Sequence, residues 1–123
     1  MRPSISWGTV CLDCDDAHAM ARFYGGLLGW EPTFTEDDWV LMRNPDGGVG
    51  LSFQAEEKYR PPIWPEEEGA QQKMIHLDVR VDDLDAALEV AVAAGGRPAS
   101  YQPREDLRIV LDPAGHPLCL FLD

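Results

Sequence analysis

The chain has 123 residues, 45% of them hydrophobic, which is enough to bury the core of one domain. Acidic residues outnumber basic residues 22 to 10, and the formal net charge of −12 excludes a nucleic-acid partner because a phosphate backbone would be repelled. No apolar run approaches the roughly 20 residues that span a bilayer, and residues 1–10 lack the apolar segment of a secretory signal. We therefore expect a cytoplasmic protein with reduced cysteines and no membrane partner.

An internal repeat with an offset of 67 residues organises the chain, since residues 9–29 align without a gap with residues 76–96. Each segment consists of an alternating, strand-like run, a pair of aspartates, a helical run and a glycine. The first aspartate of each pair, Asp15 or Asp82, is predicted to cap the following helix by accepting from its free N–H groups. The repetition predicts two equivalent modules.

Three short strands are predicted after each helix, and a turn containing Pro-x-Gly precedes the last of them. In chain order, the predicted strands lie at about 8–14, 30–35, 38–43 and 49–54, and then at about 75–81, 97–102, 107–111 and 117–122. This order predicts an α+β fold of two tandem βαβββ modules, with paired sheets whose outer faces are covered by the helices. We assign residues 1–123 to a single domain, with module one at about 4–54, a linker at 55–72 and module two at about 73–123.

The alternation along the strands assigns their side chains to two faces. The face predicted to point toward the helices carries Leu77, Val79, Leu118 and Leu120. The opposite face is too polar for a helix-covered core, and we predict that it lines a cleft. The predicted cleft residues are Thr9, Cys11, Asp13, Ser52, Gln54, His76, Asp78, Cys119 and Phe121.

Two short patterns together match a Cys₃His zinc site: "CLDC", with Cys11 and Cys14, and "HPLC", with His116 and Cys119. Residues three positions apart on a strand point to opposite faces, and His116 belongs to a turn, so these side chains do not converge on one ion. Cys14 is predicted to be a small buried residue. Cys119 and His76 are both placed in the cleft, which makes them the candidate catalytic residues if the protein is an enzyme.

Four segments, in this order, resemble the vicinal-oxygen-chelate superfamily, which includes glyoxalase I, bleomycin-resistance and fosfomycin-resistance proteins and extradiol dioxygenases. The segments are "WGTVCLDCDD…ARFYGGLLGW", "PPIWP", "IHLDVRVDDLDAAL" and "DPAGHPLCLFL". More narrowly, they resemble a glyoxalase-like group, and the resemblance covers essentially the whole chain. It implies the glyoxalase-like fold with a concave-sheet cleft, and a homodimer with two-fold symmetry.

The same resemblance implies where a catalytic metal would be held, because the superfamily's enzymes take ligands from the first and last strands of each module, commonly His or Gln, Glu, His and Glu. The repeat places Thr9, Ser52, His76 and Cys119 at those positions. Neutral hydroxyls bring no charge to offset dehydration of the ion, so we expect no metal, no other cofactor and no glyoxalase I chemistry. Zn²⁺ at His76 and Cys119 would need two further donors, and Gln54 or Asp78 would have to shift to supply them.

The leading hypothesis is a metal-free protein that binds or sequesters a small organic ligand in its cleft, like the bleomycin-resistance branch. Trp64 is predicted to cover the cleft, because the prolines of "PPIWP" stiffen the segment that presents its indole. The acidic composition suits a cationic ligand. The alternatives are a lyase, isomerase or dioxygenase that uses a non-standard metal set or metal-free catalysis by His76 or Cys119, and a domain that acts through a protein partner.

Overall fold

The computed structural model describes residues 2–122. Module one contains β1 (Thr9–Cys14), α1 (Ala17–Leu28), β2 (Phe34–Thr35), β3 (Trp39–Met42) and β4 (Gly50–Ala55). Module two contains β5 (Leu77–Val81), α2 (Leu84–Ala93), β6 (Arg97–Pro98), β7 (Leu107–Leu111) and β8 (Pro117–Leu122). The strand orders are β1-β4-β3-β2 and β5-β8-β7-β6, so each module has its own mixed sheet, and the predicted α+β fold of two βαβββ modules is confirmed.

The repeat extends to the register of the strands. In each module the first strand runs parallel to the last, and the other pairs are antiparallel. Cys11 is paired with Ser52 in the first sheet, and Asp78 is paired with Cys119 in the second. Residues separated by the repeat offset therefore occupy equivalent places in the two sheets.

The helix caps lie one residue later than the sequence predicts. The carboxylate of Asp16, not Asp15, accepts from the backbone N–H groups at the start of α1, at 3.0 and 3.1 Å. Asp83, not Asp82, does the same for α2 at 3.0 Å. Asp16 and Asp83 have extended backbone dihedrals and stand immediately before the first helical residue, which is the position from which a side chain reaches those groups.

The predicted position of the helices is wrong, because α1 and α2 pack against each other and not on the outside of a pair of sheets. Residues of both helices and both sheets form one buried core. A Cβ atom placed on Gly96, just after α2, would lie 2.5 Å from the ring of Phe23 on α1 and 3.1 Å from Val110 on β7. This close contact needs glycine, and it joins the two modules into one hydrophobic unit.

The edge strands β2 and β6 are shorter than predicted, with two residues each. In module two the N–H of Ala99, just after β6, still donates to the carbonyl of Ile109 at 3.0 Å, and the side-chain amide of Gln102 also pairs with Ile109. This amide donates to the carbonyl of Ile109 and accepts from its N–H, both at 2.9 Å. No helix in residues 2–122 is long and apolar enough to cross a membrane.

Candidate functional site

Each sheet has one face turned toward the shared core and one face turned away from it. We call the residues of the first sheet on the face away from the core the first open face: Thr9, Cys11, Asp13, Ser52 and Gln54, of which Ser52 is buried. We call the corresponding residues of the second sheet, with the preceding histidine, the second open face: His76, Asp78, Cys119 and Phe121. The structure brings the members of each open face together, and the contacts that follow lie within one face or the other.

The second open face brings three chemically reactive side chains together. Asp78 and Cys119 are direct neighbours across the parallel pair of β5 and β8, and His76 precedes Asp78 by two residues. His76 Nε2 lies 3.3 Å from Asp78 Oδ1, and the donor atoms of all three side chains lie within 4.8 Å of one another. Burial, and then the charge of Asp78, raises the pKa of the Cys119 thiol to about 11.

The linker places an aromatic side chain over this group. The linker folds back on itself, so that its first half and its second half form two arms, which are joined by a hydrogen bond from the N–H of Ile63 to the carbonyl of Gln71 at 2.7 Å. The indole of Trp64 is stacked on the imidazole of His76, with 5.3 Å between ring centroids and 26° between planes. Tyr101 contacts Trp64 edge-on at 5.9 Å, and Lys73 Nζ lies 4.2 Å from the Trp64 centroid. The structure therefore brings Trp64 to the second open face.

A cavity of about 250 Å³ opens beside these residues. Asp78, Cys119 and Phe121 form one wall. The other wall includes Arg104 and Asp106, whose side chains form a bidentate ion pair at 2.8 and 2.9 Å. Hydrogen bonding to Arg104 lowers the pKa of the Asp106 carboxyl. The cavity therefore combines an apolar aromatic surface with a few fixed polar groups, which is the composition typical of small-molecule sites.

Three polar side chains of the first open face are hydrogen-bonded to their neighbours. Thr9 Oγ1 and Ser52 Oγ are hydrogen-bonded to each other at 3.2 Å, and the Gln54 amide donates to Glu56 at 2.6 Å. Cys11 lines a different cavity, of about 700 Å³, formed largely by the two arms of the linker. The nine residues predicted to line one cleft thus lie in two groups, and Trp64, predicted to cover the cleft, lies with the second group.

The structure contains a buried polar network around Asp112 that was not predicted from the sequence. Asp112 is fully buried and accepts hydrogen bonds from the Tyr24 hydroxyl at 2.7 Å, from the backbone N–H groups of Ala114 and His116, and from His116 Nδ1 at 2.9 Å. Tyr59 joins the same turn by donating to the carbonyl of Ala114 at 2.9 Å. The sequence signal was the turn "DPAGH", in which an aspartate can accept from backbone groups two and four residues later.

This network also shows why the Cys₃His pattern is not a zinc site. His116 Nδ1 is hydrogen-bonded to Asp112, away from the second open face. Cys14 is buried and donates to the carbonyl of Gln54, while Cys11 is exposed on the opposite side of the same strand. The four side chains therefore lie in four different environments and do not converge on one ion.

The fold and the open faces define an α+β protein of two βαβββ modules, with a cavity of about 250 Å³ on the second open face. Residues 9–121 match the glyoxalase-like domain family, so the chain belongs to that family, and the resemblance found in the sequence is confirmed. No curated protein matches the sequence.

Solved structures agree with this fold. A glyoxalase-related enzyme from Fulvimarina pelagi superposes with a TM-score of 0.69 at 22% identity, covering 96% of this chain and 88% of that chain. A glyoxalase/bleomycin resistance protein/dioxygenase family enzyme from Burkholderia phytofirmans gives 0.66 at 20% identity, covering 93% and 95%. A possible glyoxalase from Bacillus cereus gives 0.66 at 15% identity, covering 96% and 99%. At these identities the similarity shows the fold alone.

The four-donor metal centre of the metal-dependent superfamily members does not fit the residues present. At the two module-one positions, Thr9 and Ser52 offer only neutral hydroxyls, which are engaged with each other. A hard cation with octahedral preference would gain no charged ligand from that half of the site. The module-two positions, His76 and Cys119, differ from them because they offer an imidazole and a thiol.

Proposed function

We propose that this protein binds a small organic molecule on the second open face, beneath Trp64, and that it does so without the four-donor metal centre of its metal-dependent relatives. The observation that carries this proposal is the stacked pair of Trp64 and His76 beside the cavity of Asp78, Cys119 and Phe121. An indole held over polar groups supplies apolar contact area, while the polar groups orient the ligand.

The arrangement favours a planar or conjugated ligand that carries hydrogen-bonding groups. Such a ligand can displace Lys73 from the Trp64 ring, stack on the indole, and hydrogen-bond to Asp78 or to the imidazole of His76. The formal net charge of −12 attracts cationic molecules and repels anionic ones at long range, so a ligand with a positive charge is favoured over one with a negative charge.

We also propose that the protein forms a homodimer, as members of the superfamily commonly do. Several large apolar side chains remain exposed on the single chain: Ile5, Trp7, Phe34, Met74 and Ile75. Exposed apolar area of this kind supports association with a second copy, because contact between copies would remove it from water. Sedimentation equilibrium tests this part of the proposal: we expect the mass of two chains, and the mass of one chain at micromolar protein would contradict it.

The experiment for the ligand is a thermal-shift screen of small planar molecules, carried out in the presence of a chelator. A ligand at 100 times its Kd raises the free energy of unfolding by about 2.7 kcal/mol. We expect each true ligand to stabilise the wild type and to lose this effect in Trp64→Ala. The matched control is Trp39→Ala, because Trp39 lies on β3 of the first sheet and not on the second open face. Ligands that stabilise Trp64→Ala as strongly as the wild type would contradict the proposed site.

A second candidate is a lyase, isomerase or dioxygenase-like reaction at the same face. The contact between His76 Nε2 and Asp78 Oδ1 favours it, since a carboxylate that holds an imidazole is the usual arrangement of a general base and its orienting group. Chemical conversion of a ligand from the screen, detected by mass spectrometry and abolished in His76→Gln, would support this candidate. Recovery of every ligand unchanged would leave binding as the function.

A further inference from the structure

The side chains of His76, Asp78 and Cys119 form a group whose donor atoms an ion can reach together. Parallel pairing puts Asp78 and Cys119 side by side, and the alternation of the strand puts His76 on the same face. The imidazole nitrogen, the carboxylate oxygen and the thiol sulfur all lie within 4.8 Å of one another. Cys119 is buried, with 5% of its surface exposed, whereas His76 and Asp78 are exposed, so the thiol lies at the floor of the cluster and the other two donors at its rim.

We propose that these three side chains bind one thiophilic divalent cation of the Zn²⁺ class, with a coordination position left open toward the cavity of about 250 Å³. The site differs from the four-donor centre considered above, because all three donors lie on one sheet, Asp78 is one of them, and a sulfur replaces a carboxylate. The inference goes beyond the proposed function, since stacking of an organic ligand on Trp64 does not require an ion.

The donor types select the class of ion. Imidazole and thiolate are preferred by Zn²⁺ and its neighbours, whereas Mg²⁺ and Ca²⁺ prefer oxygen ligands alone. Bonds of about 2.0–2.3 Å in a tetrahedral zinc site put the ligand atoms roughly 3.3–3.8 Å apart. The contact of 3.3 Å between His76 and Asp78 already has this separation, and a side-chain rotation of Cys119 closes the remainder. Three protein ligands with an open fourth position are typical of reactive zinc sites and not of structural ones.

Two neighbours shape the site further. Trp64 is stacked on His76 and restricts rotation of the imidazole, as groups around metal ligands commonly do. Two positive charges lie nearby: Lys73, whose Nζ is over the Trp64 ring and 4.0 Å from Glu66 Oε1, and Arg104, which is paired with Asp106 in the cavity wall. One dication is balanced by the carboxylate of Asp78 and the thiolate that Cys119 forms when it binds the ion.

The test is a titration of tag-free, chelator-treated protein with Co²⁺, which substitutes for Zn²⁺ and reports its ligands by absorption. We expect one Co²⁺ per chain, a thiolate-to-cobalt charge-transfer band, d–d bands of tetrahedral intensity, and loss of the signal on addition of Zn²⁺ but not of Mg²⁺. Cys119→Ser should remove the charge-transfer band, and His76→Gln should weaken Co²⁺ binding at least tenfold. Cys11→Ser is the matched control and should leave the spectrum unchanged, because Cys11 is on the other sheet.

Absence of a charge-transfer band in the wild type, or a band that is lost in Cys11→Ser and kept in Cys119→Ser, would overturn the proposal. If Cys119→Ser does not fold, the ¹¹³Cd NMR spectrum of the wild type decides the question, because its chemical shift distinguishes one sulfur ligand from none. The organic ligand is screened with chelator present, so failure of the metal site and failure of the ligand site produce different results.

Discussion

The hydrogen bond between Tyr24 and Asp112 gives the sharpest test of how the two modules are joined. Tyr24 lies on α1 and Asp112 in the turn before β8, and the hydroxyl donates to the carboxylate at 2.7 Å between two almost fully buried side chains. Tyr24→Phe removes this one donor. The ring contacts with Phe23 and Phe53, at centroid distances of 4.8 and 5.5 Å, remain because phenylalanine keeps the ring.

The magnitude follows from the burial of the acceptor. A hydrogen bond to a charged group contributes about 1.5–3 kcal/mol, and Asp112 has no exposed surface at which water could replace the lost donor. We therefore expect Tyr24→Phe to lower the free energy of unfolding by about 2 kcal/mol, which is a large share of the roughly 5–15 kcal/mol typical of a domain. For a chain of this length the melting temperature should fall by about 6–10 °C.

The assay is urea unfolding followed by tryptophan fluorescence and by circular dichroism. The control is Tyr101→Phe, which changes a tyrosine that is 41% exposed and should shift the free energy by less than about 0.5 kcal/mol. A loss below 0.5 kcal/mol in Tyr24→Phe, or equal losses in both variants, would refute the reasoning that this bond joins the modules.

The same bond predicts a dependence on alkaline pH. Burial, and then the charge of Asp112, raises the pKa of the Tyr24 phenol well above its usual value near 10. A raised pKa in the folded state stabilises the fold below the unfolded value, and this contribution is lost as pH rises above about 10 toward the folded value. The wild type should therefore lose stability above pH 10 more steeply than Tyr24→Phe does.

Two further predictions concern packing and thiol chemistry. Gly96→Ala should destabilise the fold by about 1–3 kcal/mol in urea unfolding, because its Cβ would lie 2.5 Å from the Phe23 ring. The control Gly8→Ala should be neutral, because a Cβ at Gly8 meets nothing within 4 Å. Equal effects of the two substitutions would contradict the packing described between the modules. Iodoacetamide at pH 8 should label Cys11, which is exposed, whereas the two buried cysteines should react only after unfolding. Burial raises the pKa of Cys119 to about 11, so little reactive thiolate is present at pH 8. Rapid labelling of Cys119, detected by peptide mass spectrometry, would contradict its burial.

Much of the fold is readable from local pattern. The alternation in residues 9–14 and 77–81 sets which side chains share a face, and the repeat offset correctly predicts that Cys11 and Asp78 occupy equivalent places. The prediction that the helices lie on the outside was wrong because periodicity shows which face of an element is apolar, but not whether that face packs against another sheet or another helix.

The candidate site is less predictable because it depends on contacts between distant residues. Trp64 was singled out for the stiffness of its segment, yet its stacking on His76 requires the linker to fold back, which no local signal specifies. Asp112 was missed because its hydroxyl partner lies 88 residues away on α1. His76, Asp78 and Cys119 were each assigned to the cleft, but only the register between β5 and β8 shows that their donor atoms meet.

The most direct test of the central claim is a two-dimensional ¹H–¹⁵N NMR titration of the protein with the strongest ligand from the thermal-shift screen. We predict that the Trp64 indole N–H signal and the backbone amides of Asp78 and Cys119 shift together, with one saturation curve. Shifts confined to the first open face, at Cys11 and Ser52, would contradict a binding site on the second sheet.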